Sequence, residues 1–172
     1  MEQKIYIADD LISLSEYIEE IDDYDCYTCW QDEETQNGYN FKCIKTFDEW
    51  SKETTIKSQF IATIVRLNDN ACIGSIFLSS ENTPPDLAIM IYKPYRKQGF
   101  GTRAFSLGVK HCFETLILDK IYAGCYPHNK GSIKMLEKCG FLPHPEGNVK
   151  EKHYITGEDI IQLGYIIHNP LL

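Results

Sequence analysis

From Gln59 onward the chain alternates short apolar runs with turn residues. Phe60-Ile61-Ala62-Thr63-Ile64-Val65 and Ala71-Cys72-Ile73-Gly74-Ser75-Ile76-Phe77-Leu78 flank Leu67-Asn68-Asp69-Asn70, whose Asn and Asp residues accept the left-handed backbone of tight turns. The pattern predicts a β-hairpin. A third run, Leu87–Tyr92, is short and continuously apolar, as suits a buried strand. Beyond a basic, glycine-bearing loop, Ala104, Phe105, Gly108, Val109, Cys112 and Phe113 recur at the spacing of one apolar helical stripe, which predicts a helix over about Thr102–Glu114. Residues 120–125 read as another strand and Asn129–Lys138 as a second helix, with Asn129 as N-cap and Gly140 in the left-handed position that ends it. Lys150–Thr156 and Ile160–His168 offer two further strands around the turn 156–159. The order ββ-β-α-β-α-ββ implies an α/β fold with a mixed, mostly antiparallel central sheet flanked by helices. Upstream, the expected element is a helix near Leu11–Ile21 with a solvated acidic face.

At 172 residues, with 43% hydrophobic and 12% aromatic residues, the chain is expected to form a single domain, 1–172, with one core. Seventeen Lys and Arg against 25 Asp and Glu give a net charge of −8, which disfavours nucleic acid and anionic membrane as partners. The acidity is local, since residues 5–41 hold eleven acids and no Lys or Arg. The functional reading of that segment is a rim that attracts a cationic acceptor. The longest run free of charged residues, Ile160–Leu172, is 13 residues, short of the ~20 a membrane helix needs. With no apolar leader after Met1-Glu2-Gln3-Lys4, a cytoplasmic protein is expected, as a monomer or homodimer. Seven cysteines, an odd set scattered through the elements, read as reduced thiols. Cys26-x-x-Cys29 lacks a second pair to complete a zinc site, and Asp22, Asp23 and Asp25 disfavour a redox thiolate, so no metal is expected.

The loop Lys93-Pro94-Tyr95-Arg96-Lys97-Gln98-Gly99-Phe100-Gly101 joins a strand to a helix N-terminus and carries three cations and two glycines. Backbone N–H groups and the positive end of the helix dipole there suit a phosphate. It holds no Gly-Lys-Ser/Thr, so it is not an ATPase phosphate loop. Gly99-x-Gly101-x-x-Ala104 fits a dinucleotide fingerprint, but residues 93–98 separate it from its strand and Asp119 precedes the next strand, against that fold's layout.

Arg96-Lys97-Gln98-Gly99-Phe100-Gly101 resembles the pyrophosphate loop of the GNAT superfamily of N-acetyltransferases, Arg/Gln-x-x-Gly-x-Gly/Ala. Asn129-Lys130-Gly131-Ser132 through Glu137-Lys138-Cys139-Gly140-Phe141 is similar to a helix of the ribosomal-protein N-terminal acetyltransferase-like branch. The resemblance implies an acetyl-CoA-binding core over 59–142, an acceptor-side part over 1–58 and C-terminal strands over 143–172. It implies acetyl-CoA as cosubstrate, with Arg96, Lys97, Gln98, Gly99, Phe100, Gly101 and Thr102 at the pyrophosphate. The pantetheine would lie beside residues 87–92, touching the main chain of Ile89 and Ile91, and Met90, or else Ile91, would supply the N–H that polarises the thioester carbonyl. Leu136 stands where many members carry an acidic tyrosine. Ser132 then becomes the candidate acid, Asn129 a ligand of pantetheine or of an ordered water that otherwise only caps its helix, and Asp86 the candidate base, with His128 and His153 as lesser proton carriers. The implied activity is acetyl transfer by direct attack of a primary amine, the acceptor being a small cationic amine or a peptide N-terminus. The alternative is a non-catalytic acyl-CoA-binding regulatory domain.

Overall fold

The computed structural model describes residues 3–53, 58–81 and 83–172. Five strands, β1 (Ile5–Ala8), β2 (Ile12–Glu16), β3 (Phe60–Arg66), β4 (Ala71–Leu78) and β5 (Leu87–Ile91), form one sheet in chain order, each antiparallel to the next. The helices α1 (Glu19–Trp30), α2 (Glu33–Tyr39) and α3 (Phe47–Glu53) are inserted between β2 and β3. After β5 the chain makes a short 3-10 turn at Lys93–Tyr95, then α4 (Phe100–Glu114), β6 (Lys120–Cys125) and α5 (Lys130–Lys138). The last strands, β7 (Leu142–Pro143), β8 (Val149–Lys152) and β9 (Asp159–His168), complete a second sheet in which β9 pairs antiparallel with β6, β7 and β8.

Burial on both faces explains the first sheet. Ile12, Leu14, Ala62, Ile64, Ile76 and Leu87 pack with Ala104, Phe105, Val109 and Cys112 of α4 in the main core. The opposite face is polar yet buried: Ser15, Thr63, Ser75 and Met90 align across β2–β5, and α1 lies over them, with Asp22 accepting a 2.7 Å bond from the Thr63 hydroxyl.

The elements from residue 60 onward stand close to their expected places, although α4 starts two residues earlier and the penultimate strand is shorter than expected. Gly140 has φ +87°, a left-handed backbone costly for any side chain bearing a Cβ. Three corrections apply. The expected Leu11–Ile21 helix is instead β2 followed by the first turn of α1, because Ser13 and Ser15 alternate with Ile12 and Leu14 on the two faces of a strand. The acidic face is not wholly solvated, since Asp22 and Asp23 are buried. The two-residue β7 has no counterpart in the sequence pattern. All seven cysteines are unbridged. Among the described residues no helix is long and apolar enough to cross a membrane, and no cluster of three or more His, Cys, Asp or Glu could hold a metal.

Candidate active site

The two sheets meet at one point. Asp86 and Tyr122 form a parallel bridge, with the Tyr122 N–H donating to the Pro85 carbonyl at 2.8 Å, and β5 and β6 pair nowhere else among the described residues. The sheet therefore forks, and β5 presents an open edge from Asp86 towards Ile91. The hydrogen bonds show which groups line it. The Tyr92 N–H reaches Ile73 and the Ser79 N–H reaches the Asp86 carbonyl, so residues 86, 88, 90 and 92 turn their main chain towards β4. Residues 87, 89 and 91 face the fork. Consistent with this, the Ile89 carbonyl accepts the Tyr39 hydroxyl at 2.6 Å and the Ile91 carbonyl accepts Arg96 Nε at 2.8 Å, leaving the N–H groups of Ile89 and Ile91 on the edge. Met90 is corrected by this alternation: its N–H is committed to the ladder opposite Ser75, its side chain is buried, and it offers no donor to the fork.

At the open end of the fork lies the loop into α4. Lys97 has φ +59° and Gly99 φ +87°, left-handed backbone of the kind from which anion nests are built. Among the described residues, the N–H groups of Lys97 to Thr102 have no partner within the protein, as expected for a helix start, whose first turn has no carbonyl behind it. A Cβ built on Gly101 would meet nothing closer than Ile91 Cγ1 at 3.6 Å, so the fold itself tolerates a side chain there. A glycine there leaves the main chain open to an approaching ligand. These features fit a pyrophosphate. Gln98 turns its side chain back onto the Pro94 carbonyl at 3.0 Å, and Phe100 packs against the main core, so both can contribute only main chain to the cradle. Lys97 is exposed and forms no ion pair among the described residues, whereas Lys93 is drawn to Asp32 at 3.5 Å.

Arg96 departs from expectation. Its guanidinium donates to Asp32 Oδ2 at 2.6 Å, Thr35 Oγ1 at 2.7 Å and Glu34 Oε2 at 3.2 Å, with Cys29 Sγ at 3.7 Å. A side chain so tied is withdrawn from the phosphate cradle. Its partners lie more than 60 residues upstream, where no sequence spacing links them to the loop.

At the closed end stands Asp86. Its main chain is held by Ser79, whose hydroxyl accepts the Asp86 N–H at 2.9 Å. The carboxylate is open to solvent but flanked by protein, and desolvation raises its pKa to about 6. Nearby, burial holds the Tyr39 phenol well above its ordinary value, so it remains a proton donor. Asn129 caps α5, its Oδ1 accepting the Ser132 N–H at 3.1 Å. The Ser132 hydroxyl has no partner among the described residues. Leu136 is buried in the core, and His128 is spent on the Asn37 carbonyl at 3.1 Å and a stacked Tyr126 ring. His153 accepts the Ile155 and Thr156 N–H groups in a turn. In Cys26-x-x-Cys29 burial raises both thiols, Cys26 to about 12, against what a reactive thiolate needs.

A forked sheet beside an N–H-lined Gly-x-Gly loop defines the class as the GNAT-type α/β fold. The family model for the acetyltransferase (GNAT) domain matches residues 11–142, and the chain belongs to that family. Among curated relatives, a probable N-acetyltransferase, YjcK, of Bacillus subtilis (strain 168) is 40% identical over 117 residues, covering 66% of this chain and 64% of that protein. An uncharacterised prophage-derived N-acetyltransferase of the same organism, YokL, is 27% identical over 63% of this chain and 62% of its own. The match thus spans less than two thirds of either relative. Among solved structures, a spermidine N-acetyltransferase from Vibrio cholerae in complex with CoA and spermine superposes with a TM-score of 0.80 at 18% identity, covering 94% of this chain and 97% of that one. A ribosomal-protein-S5-alanine acetyltransferase from Vibrio fischeri gives 0.74 at 18% identity, with 95% and 96% covered. At such identities these two establish the fold alone.

Proposed function

We propose that the protein is an acetyl-CoA-dependent N-acetyltransferase that moves the acetyl group to a primary amine by direct attack. One observation carries the reading: a row of unpartnered N–H groups at 97–102 continues into the open edge of β5, which ends at a carboxylate of raised pKa. The five residue steps from Ile91 to Asp86 span about 17 Å of extended strand, enough for a slender chain anchored at the loop to bring its far end near Asp86.

Acetyl-CoA supplies a thioester open to attack by nitrogen. The N–H groups of 97–102, with Lys97, hold its pyrophosphate, and an N–H of Ile89 or Ile91 points to where negative charge develops on the carbonyl oxygen. An ammonium ion has no lone pair, so a base must take its proton, and Asp86 at about 6 is ionised at neutral pH yet basic enough to do so. Ser132, with its hydroxyl free beside the Asn129 cap, is the donor to the departing sulfur. The acceptor is a cationic small amine or a peptide N-terminus, supported by a groove of about 500 Å³ in which Asp32 and Glu34 are paired with Arg96 and Glu33 forms no ion pair among the described residues. The names of the two solved neighbours, one acting on spermidine and one on a ribosomal protein, frame the same choice.

The test is release of free thiol from acetyl-CoA against polyamines, aminoglycosides, amino acids and short basic peptides. Release that depends on one of these amines is the expected result. Binding of acetyl-CoA with no acceptor-dependent release across the panel would replace the enzyme with the regulatory acyl-CoA-binding domain, a reading that the burial of Leu136 in place of an acidic hydroxyl favours.

A further inference from the structure

The Arg96 side chain is a link between two parts of the molecule that the chain connects only through a long detour. On one side are the end of α1, the Asp32 cap of α2 and the first turn of α2; on the other is the Ile91 carbonyl at the open end of β5. We propose that Arg96 is a positioning residue that locks the α1–α2 wall onto the open edge of β5 and so sets where the acceptor meets the thioester, and that it is not a phosphate ligand. The proposal rests on the acetyl-transfer reading of the same site.

Three observations support it. First, the geometry uses the guanidinium as a fork: Nε takes the Ile91 carbonyl of β5 while the two terminal nitrogens take Asp32 and Thr35 at the start of α2, an arrangement the single ammonium of lysine cannot copy. Second, the charge is already spent. Asp32 and Glu34 both pair with Arg96, and the 2.6 Å bond joins two side chains that are only 15% and 14% exposed. A phosphate would have to displace a half-buried carboxylate to use this cation, whereas Lys97 a residue away forms no ion pair among the described residues. Third, Asp32 Oδ2 also accepts the Thr35 N–H that caps α2, so the ion pair and the helix start share one oxygen and move together. Tyr39 at the other end of α2 makes the second attachment, to the Ile89 carbonyl. The wall is therefore tied at both ends of α2 to alternate carbonyls on one strand edge.

The test compares Arg96→Lys, Thr35→Val and Lys97→Gln by calorimetric acetyl-CoA affinity and by acceptor KM and kcat at saturating cofactor. Arg96→Lys should leave the acetyl-CoA Kd within about twofold while raising acceptor KM by about tenfold or more, and Thr35→Val should do the same to a smaller degree. Lys97→Gln should show the reverse split, a weaker Kd with acceptor KM unmoved. A phosphate role would appear as Arg96→Lys matching Lys97→Gln, and that result overturns the proposal. Where Arg96→Lys does not fold, the split in Thr35→Val decides. Were wild-type protein to transfer acetyl to no amine, the transfer reading would fall separately, and amide hydrogen exchange would still decide the lock: faster exchange over residues 29–39 in Arg96→Lys supports it, and exchange equal to wild type contradicts it.

Discussion

Asp86 is where a single residue makes the most specific demand on the chemistry. Desolvation raises its pKa to about 6, so the folded protein holds this proton more tightly than the unfolded chain does. In its proposed role as base it works only when ionised, and kcat/KM should climb with pH through about 6 to a plateau. Asp86→Asn should lower kcat by about a hundredfold and erase that limb, read from the pH profile of thiol release. Stability moves the other way. A raised carboxyl pKa favours the folded state at low pH and loses that advantage as pH rises towards about 6, so Asp86→Asn should gain on wild type in thermal stability between pH 4 and pH 7. Asn129 and Ser132 become candidates through their place in the second motif, and Asp86 through the position before its strand that the family resemblance marks. Residue identity could not announce what Arg96 does, since a side chain in a phosphate-type loop looks like a phosphate ligand until its partners at 29–35 are brought beside it by the fold. Met90 failed for a different reason: which residues of a strand face an open edge depends on the phase of the ladder, which residues 79 and 92 fix and the apolar run does not.

Among the elements, legibility follows how burial is distributed. The helices α4 and α5 bury one stripe each, so their periodicity is plain in the sequence. The strand β2 buries serines on one face and aliphatics on the other, and a polar residue that is nonetheless buried mimics the solvated side of a helix. The small helices α2 and α3 have seven residues each, too few turns for a periodic signal. The fork depends on a close approach within the β4–β5 ladder. A Cβ on Gly74 would sit 2.2 Å from the Met90 carbonyl oxygen, a backbone atom that cannot swing aside. Gly74→Ala should therefore cost about 2 kcal/mol or more, seen as a lowered denaturation midpoint, and weaken acetyl-CoA binding because it distorts the strand that forms the fork's edge.

On the scale of the whole molecule, several of the eleven acids of residues 5–41 are spent on cations that flank the loop: Asp32 and Glu34 hold Arg96, and Asp9 and Asp10 hold Arg103 of α4. Lys97, which forms no ion pair among the described residues, and the N–H row remain for an anion. An acidic protein can thus bind a polyanionic cofactor, because local geometry outweighs a net charge of −8. The proposed acetyl-CoA site depends on that cradle, and Gly101 tests it with least disturbance, since a methyl group fits the fold there and alanine favours a helix by up to about 1 kcal/mol. The decisive measurement is the acetyl-CoA dissociation constant of Gly101→Ala beside wild type, with melting curves on the same samples. Binding is expected to weaken by about tenfold or more at equal or higher stability, the mark of a glycine kept for a ligand. Undiminished affinity would place the cofactor elsewhere and overturn the assignment of the loop.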